Sequence, residues 1–145
     1  MWFRYDLRIK DNDALFKALR NQFCLPVFIL DKGYLKLETT SDFHLKFLND
    51  SLIDLNENLK LLFNTKLNFY NGNTVEILNS LIDKYKINTV YSNKIFKGKY
   101  FLKLDSEVSS LMREKGIGWL ESNQFGIQLD KRKRGKWSVD WHKFM

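Results

Sequence analysis

Short apolar runs alternate with longer helical patterns along the chain. Five of these runs predict strands, at residues 2–3, 25–30, 67–70, 89–92 and 117–120. The run at 25–30 is apolar almost throughout, as is typical of a parallel strand buried on both faces. Four segments with apolar residues at helical spacing lie between the runs. This alternation predicts an α/β fold, a Rossmann-like three-layer domain with a five-stranded parallel sheet and right-handed crossovers.

The longest helical pattern follows Thr40 and Ser41, either of which can cap a helix. Its leucines recur every three or four residues and form a single stripe, made of Leu45, Leu48, Leu52, Leu55, Leu59 and Leu62. Such a stripe also fits a coiled coil, but one helix of this kind among strands favours packing on a sheet. Asn12 and Asn73 are predicted caps of two other helices, and Gly116 is a predicted helix end.

Composition narrows the class of protein. The chain has 145 residues, of which 44% are hydrophobic and 15% aromatic, and this favours one packed globular domain over disorder. No apolar run approaches the roughly 20 residues of a membrane span. A single cysteine, Cys24, excludes an internal disulfide framework and suits a reducing cytoplasm, which is the expected location.

The net charge of +7 includes a dense basic run near the end of the chain. A run of this kind attracts polyanions, so its members are candidate nucleic-acid contacts: Lys131, Arg132, Lys133, Arg134 and Lys136. A solvated loop or an interdomain contact is the alternative interpretation.

Most familiar site patterns are absent from the sequence. No glycine-rich phosphate loop follows a predicted strand, and one cysteine with two distant histidines gives no zinc pattern. One segment differs, because Arg4, Asp6 and Arg8 alternate between the first strand and the first helix. These residues can form an ion-pair and hydrogen-bond lattice at the carboxyl end of the strand, where open α/β sheets bind ligands. A purely structural lattice is the alternative.

This segment resembles the opening signature of the photolyase/cryptochrome family, Trp-Phe-Arg-x-Asp-Leu-Arg followed by Asp-Asn. Further stretches resemble the family in the same order, namely residues 27–31, 47–56, 72–78 and 119–145. The family usually has several more apolar residues before Trp-Phe, so the first strand here is short, and we expect the domain to be only marginally stable. The resemblance covers essentially the whole chain.

The resemblance implies an N-terminal α/β domain, at residues 1–123, followed by a basic and aromatic linker at 124–145. In some members this domain holds an antenna chromophore such as a deazaflavin, FMN or a folate. The flavin adenine dinucleotide (FAD) and the lesion-binding groove belong to a helical C-terminal domain that has no counterpart in this sequence. The complete protein would use light to repair pyrimidine dimers in DNA, or would sense light, whereas this chain alone is expected to carry no FAD and no repair activity.

Candidate antenna residues are those expected at strand ends and helix starts: Arg4, Asp6, Arg8, Asp31, His44 and Asn93. Folate-binding members have an Asn-Glu pair after the fourth strand, and here Lys94 follows Asn93, so only weak folate binding is expected. Residues 124–145 are expected to dock on the missing flavin domain, and in isolation to be poorly ordered or to promote self-association. Folding back on the sheet is the alternative.

Two other functions fit the sequence less well. A stand-alone nucleic-acid-binding module would show salt-dependent DNA affinity without light or flavin. A small nucleotide-binding α/β module would retain an adenine nucleotide at the carboxyl edge of the sheet.

Overall fold

The computed structural model describes residues 1–21, 23–95, 98–123 and 137–144. Strands and helices alternate along these residues, in the order β1 (Trp2–Phe3), α1 (Asp13–Leu19), β2 (Val27–Asp31), α2 (Lys32–Leu35), α3 (Asp42–Phe63), β3 (Asn68–Gly72), α4 (Thr74–Tyr85), β4 (Thr89–Asn93), α5 (Lys99–Glu114), β5 (Gly118–Ser122) and α6 (Trp137–Phe144). The five strands and four intervening helices are those predicted, and α6 matches the aromatic spacing near the end of the chain. The four-residue helix α2 was not predicted.

The helix ends follow from local side-chain chemistry. The side chains of Asn12, Ser41 and Asn73 accept backbone N–H groups in the first turns of α1, α3 and α4, respectively. These caps satisfy donors that have no partner within the helix. Gly116 follows α5 with a φ of +67°, a conformation that favours glycine, and the chain then turns into β5.

The strands are parallel, but their ladders form two sheets and not one. β1, β2 and β3 form a three-stranded sheet in that order, and β4 pairs with β5. The prediction of one five-stranded sheet is therefore wrong in this detail. β1 has only two residues, which pair with Val27 and Phe28, and the chain leaves the extended conformation at Arg4. β1 still contacts β4, so the two sheets meet along a seam without backbone ladder bonds.

Helices cover both faces of the sheets, which confirms the three-layer α/β class. One core lies under α1 and α3 and is centred on Phe3, Phe28 and Leu55. The other lies under α4 and α5 and includes Trp2 and Val108. Trp2 and Phe3 face opposite ways, as neighbouring residues of a strand must.

The leucine stripe of α3 is buried only in its central part. Leu48, Leu55 and Leu59 are buried, whereas Leu62 is 56% exposed, because the helix is longer than the five-residue strands that it covers. Within the described parts of the chain, no helix combines the length and apolar character that crossing a membrane requires.

Candidate functional site

Arg4 is the most deeply buried charge at the carboxyl end of β1. Only 3% of the residue is exposed, and its guanidinium forms an ion pair with Asp105 on α5. A second carboxylate follows, since Arg4 Nη1 lies 3.6 Å from Glu121 Oε1 on β5. The guanidinium carbon also lies 4.6 Å from the centre of the Trp2 ring. Arg4 therefore joins β1 to α5 and β5 through side chains.

Asp6 lies in a second, largely buried polar cluster, with Asn12 and Asn93. Asp6 Oδ2 accepts a hydrogen bond from Asn93 Nδ2 and another from Asn12 Nδ2 at 3.3 Å. The two asparagines are joined directly, because Asn93 Nδ2 donates to Asn12 Oδ1 at 2.8 Å. Burial raises the pKa of Asp6 above its usual value, although the hydrogen bond from Asn93 opposes this. The cluster fixes the loop at residues 4–8 against the end of β4.

The ion pairs predicted inside this loop are not the ones formed among the described residues. Arg4 contributes only its backbone N–H to Asp6, at 3.3 Å from Oδ1. Arg8 is exposed, and its guanidinium donates to the carbonyl oxygen of Asp11 at 3.1 Å. The sequence analysis missed Asp105 and Glu121, which lie far from Arg4 along the chain. Their signal was positional, since Glu121 occurs near the end of a predicted strand.

Asp31 ends β2 and connects three elements. Its carboxylate accepts the N–H of Gly33 at 2.7 Å, the N–H of Thr74 at 2.9 Å and the hydroxyl of Tyr100. Burial alone would raise the pKa of Asp31, but these hydrogen bonds hold it below its usual value. The pKa of Tyr100 is raised, first by burial and then by Asp31. Asp31 therefore caps α2 and positions the starts of α4 and α5.

His44 and the basic run complete the predicted set. His44 is exposed at the start of α3, and its ring nitrogen lies 3.4 Å from the backbone nitrogen of Ser41 in a capping box. In the described structure no hydrogen bond joins it to Arg4, Asp6, Asp31 or Asn93. The run at residues 131–136 lies outside the described residues.

A pocket of about 560 Å³ opens beside this cluster, along α1. We name it the α1 pocket, and its lining residues are Ile9, Asp11, Asn12, Asp13, Leu15, Phe16, Leu19, Phe63, Asn93 and Asn123. This volume is within the range of small-molecule sites. Among the described residues, no group of three or more His, Cys, Asp or Glu side chains is placed to bind a metal ion. The site is therefore suited to binding and positioning a ligand.

Comparison with known proteins identifies the family. The sequence profile of the DNA photolyase family matches residues 1–125. The chain is 36% identical over 101 residues to cryptochrome DASH, chloroplastic/mitochondrial, of Arabidopsis thaliana, covering 65% of this chain and 18% of that protein. It is 28% identical over 127 residues to the (6-4)DNA photolyase of the same plant, covering 81% of this chain and 22% of that protein.

Solved structures share the fold. A bacterial class III photolyase from Agrobacterium tumefaciens superposes with a TM-score of 0.82 at 24% identity, covering 93% of this chain and 27% of that one. An archaeal photolyase from Sulfolobus tokodaii, solved with two FAD molecules, gives 0.77 at 21% identity, covering 98% and 34%. The chain thus spans between a fifth and a third of the length of these proteins. With the family profile matched over its whole α/β domain, the chain belongs to the DNA photolyase family, which includes the cryptochromes.

Proposed function

We propose that this chain is the light-harvesting and scaffolding half of a photolyase- or cryptochrome-type flavoprotein. The observation that carries the proposal is the family match over residues 1–125, which falls on the α/β domain of proteins three to five times as long. The partner is a helical domain that binds FAD. In the complete protein, excited FAD supplies the electron for light-driven repair of pyrimidine dimers in DNA.

Energy transfer requires a chromophore at a fixed distance and orientation, and it needs no acid, base or nucleophile. The described side chains suit such a task. Asp6, Asn12 and Asn93 hydrogen-bond one another at the carboxyl edge of the strands, so the loop there is held rigidly. Arg4 is engaged with Asp105, which makes it a positioning residue, whereas Arg8 is exposed and free to face a ligand. Asp31 and Asn93 are further antenna candidates at the same edge.

The chromophore is a deazaflavin, FMN or a folate, with folate the weakest. The printed description of the Sulfolobus tokodaii photolyase reports two FAD molecules and a novel light-harvesting cofactor, so at least one family member carries a second chromophore. For this chain in isolation we expect no bound FAD after purification, measured by absorbance and mass analysis of the denatured protein. Stoichiometric FAD in that preparation would contradict the assignment of FAD to the helical half.

Residues 124–145 form the docking segment toward the helical domain in this proposal. α6 carries aromatic residues at helical spacing, and Trp141 is half-buried. Aromatic side chains of this kind are large contributors to interfaces. In the isolated chain this segment gives rise to self-association.

A chimera tests the proposal. Residues 1–125 replace the corresponding α/β domain of the Sulfolobus tokodaii photolyase, and the control carries that protein's own domain joined at the same position. We expect the chimera to retain at least one FAD per chain and to repair pyrimidine dimers in light. A chimera that folds but binds no FAD and repairs nothing, beside an active control, would overturn the scaffolding role. An active chimera whose repair rate never responds to added deazaflavin, FMN or folate would overturn the light-harvesting role alone.

A further inference from the structure

The buried end of the α1 pocket contains one polar atom without a partner. Asn12 uses its full capacity: Oδ1 accepts from Leu15 N at 3.0 Å and from Asn93, while Nδ2 donates to Asp6 and to the Arg8 carbonyl at 2.9 Å. Asn93 Nδ2 likewise donates both hydrogens, to Asp6 and Asn12. Asn93 Oδ1 has no hydrogen-bond partner among the described residues, and the residue is only 1% exposed.

A buried carbonyl oxygen without a donor is costly, so a ligand that supplies an N–H or O–H group gains from meeting it. Asn93 lines the pocket, and its amide plane is fixed by the two hydrogen bonds that it donates. A fixed acceptor selects a donor of matching position, as in sites that recognise the edge of a heterocycle.

The charge of the lining restricts the ligand further. Asp11 and Asp13 line the pocket, and no lysine or arginine does. Asp13 is paired with Lys17 at 2.6 Å, which leaves little positive charge there to attract an anion. Phosphate and carboxylate groups are therefore disfavoured in this pocket, and an uncharged ligand is favoured.

The rest of the pocket wall is apolar. Phe16 and Phe63 are 58% and 39% exposed, and Leu15 and Leu19 continue the same wall. Exposed aromatic rings beside a buried polar acceptor suit a flat ring that stacks while one edge forms a hydrogen bond.

We propose that the α1 pocket binds an uncharged, planar heterocyclic lactam or imide, whose ring N–H donates to Asn93 Oδ1 and whose ring packs on Phe16 and Phe63. A phosphorylated or carboxylated form of the same ring is excluded by Asp11 and Asp13. This inference goes beyond light harvesting, because binding does not depend on whether the ligand absorbs visible light.

Three probes with one ring system separate the two requirements. Lumazine has two imide N–H groups, 1,3-dimethyllumazine has none, and lumazine-6-carboxylate adds an anion. Each is titrated against the full chain in slightly acidic buffer, followed by quenching of the probe's fluorescence. Lumazine is expected to bind about tenfold more tightly than either derivative, a difference of the size that one hydrogen bond provides. Equal binding of lumazine and its dimethyl derivative, or no binding of lumazine, would overturn the proposal.

A pair of matched variants locates the site. Phe16→Ser should weaken lumazine binding at least fivefold, while Phe43→Ser should leave it unchanged, because Phe43 is 86% exposed and outside the pocket. Thermal melts of both variants check that they fold. A separate groove of about 610 Å³ at the amino ends of the strands is lined in part by Tyr85. If Tyr85→Ser removes binding and Phe16→Ser does not, the probe occupies that groove and the proposal for the α1 pocket is wrong.

Discussion

Replacing Arg4 by methionine should destabilise the domain by about 3 kcal/mol at neutral pH. Removing one partner of a buried ion pair typically costs about 3–5 kcal/mol, since an uncompensated charge remains. Here two carboxylates remain, on Asp105 and Glu121, and the side chain of each is 24% exposed. Water screens them in part, so the low end of the range applies. In a chain of 145 residues, this loss lowers the melting temperature by roughly 6–12 °C.

The same substitution should make stability depend on pH in a defined direction. Burial raises the pKa of Glu121, Arg4 opposes that rise, and Asp105 adds to it. Without Arg4, the pKa of Glu121 in the folded state rises further above its value in the unfolded chain. The folded state then binds more protons in the window between the two values, so stability falls as pH rises through that window. The deficit of Arg4→Met should therefore be smaller at pH 5 than at pH 7.

Urea denaturation followed by circular dichroism measures both effects, and an unchanged m-value shows that the comparison concerns stability. Arg113→Met is the matched control, because Arg113 is an exposed arginine on α5 and such changes usually stay within about 0.5 kcal/mol. A loss below about 1 kcal/mol for Arg4→Met, or the same loss at both pH values, would show that the Arg4 ion pairs do not hold the loop.

Three other predictions follow from the strand ends and the tail. Tyr100→Phe should cost about 1.5–3 kcal/mol in urea unfolding, because Asp31 loses a donor, and the stability lost on acidification should shrink as the pKa of Asp31 rises toward normal; an unchanged acid limb would contradict this. Adding three apolar residues before Met1 should raise the melting temperature, because the terminal ammonium, whose pKa is lowered by burial, leaves the groove beside Leu25; an unchanged melt would refute it. Truncation after Asn123 should keep the melting temperature and make the chain more monomeric in light scattering, whereas unfolding would show that the tail belongs to the core.

The elements that the sequence predicted correctly are those governed by local spacing. The leucines of α3 share one face whatever lies beneath them, and Ser41, Asn73 and Gly116 act on backbone groups a few residues away. The partners of the candidate site depend on the tertiary fold. Asp105 meets Arg4 across 101 residues of chain, and no spacing rule connects the two. Helix α2 escaped because four residues contain too little periodicity to register.

The break between the two sheets explains why the candidate site is built from side chains. β1 and β4 contact each other without a backbone ladder, so other groups must join the sheets. On one face, Trp119 donates from Nε1 to Ser92 Oγ at 3.0 Å, and its ring centre lies 6.1 Å from that of Trp2. The small Ser92 side chain on β4 leaves room for the two indoles to meet above it.

At the carboxyl end of the same seam, Arg4 reaches Glu121 and Asp6 reaches Asn93, so both polar clusters connect the loop after β1 to the other sheet. The loop residues that first suggested a ligand site thus also replace the missing ladder bonds. Because the backbone is not paired there, a ligand that meets Asn93 Oδ1 would bind at a place where the sheets are joined only through side chains. Occupation of the α1 pocket and the stability of the seam are therefore coupled through one residue, Asn93.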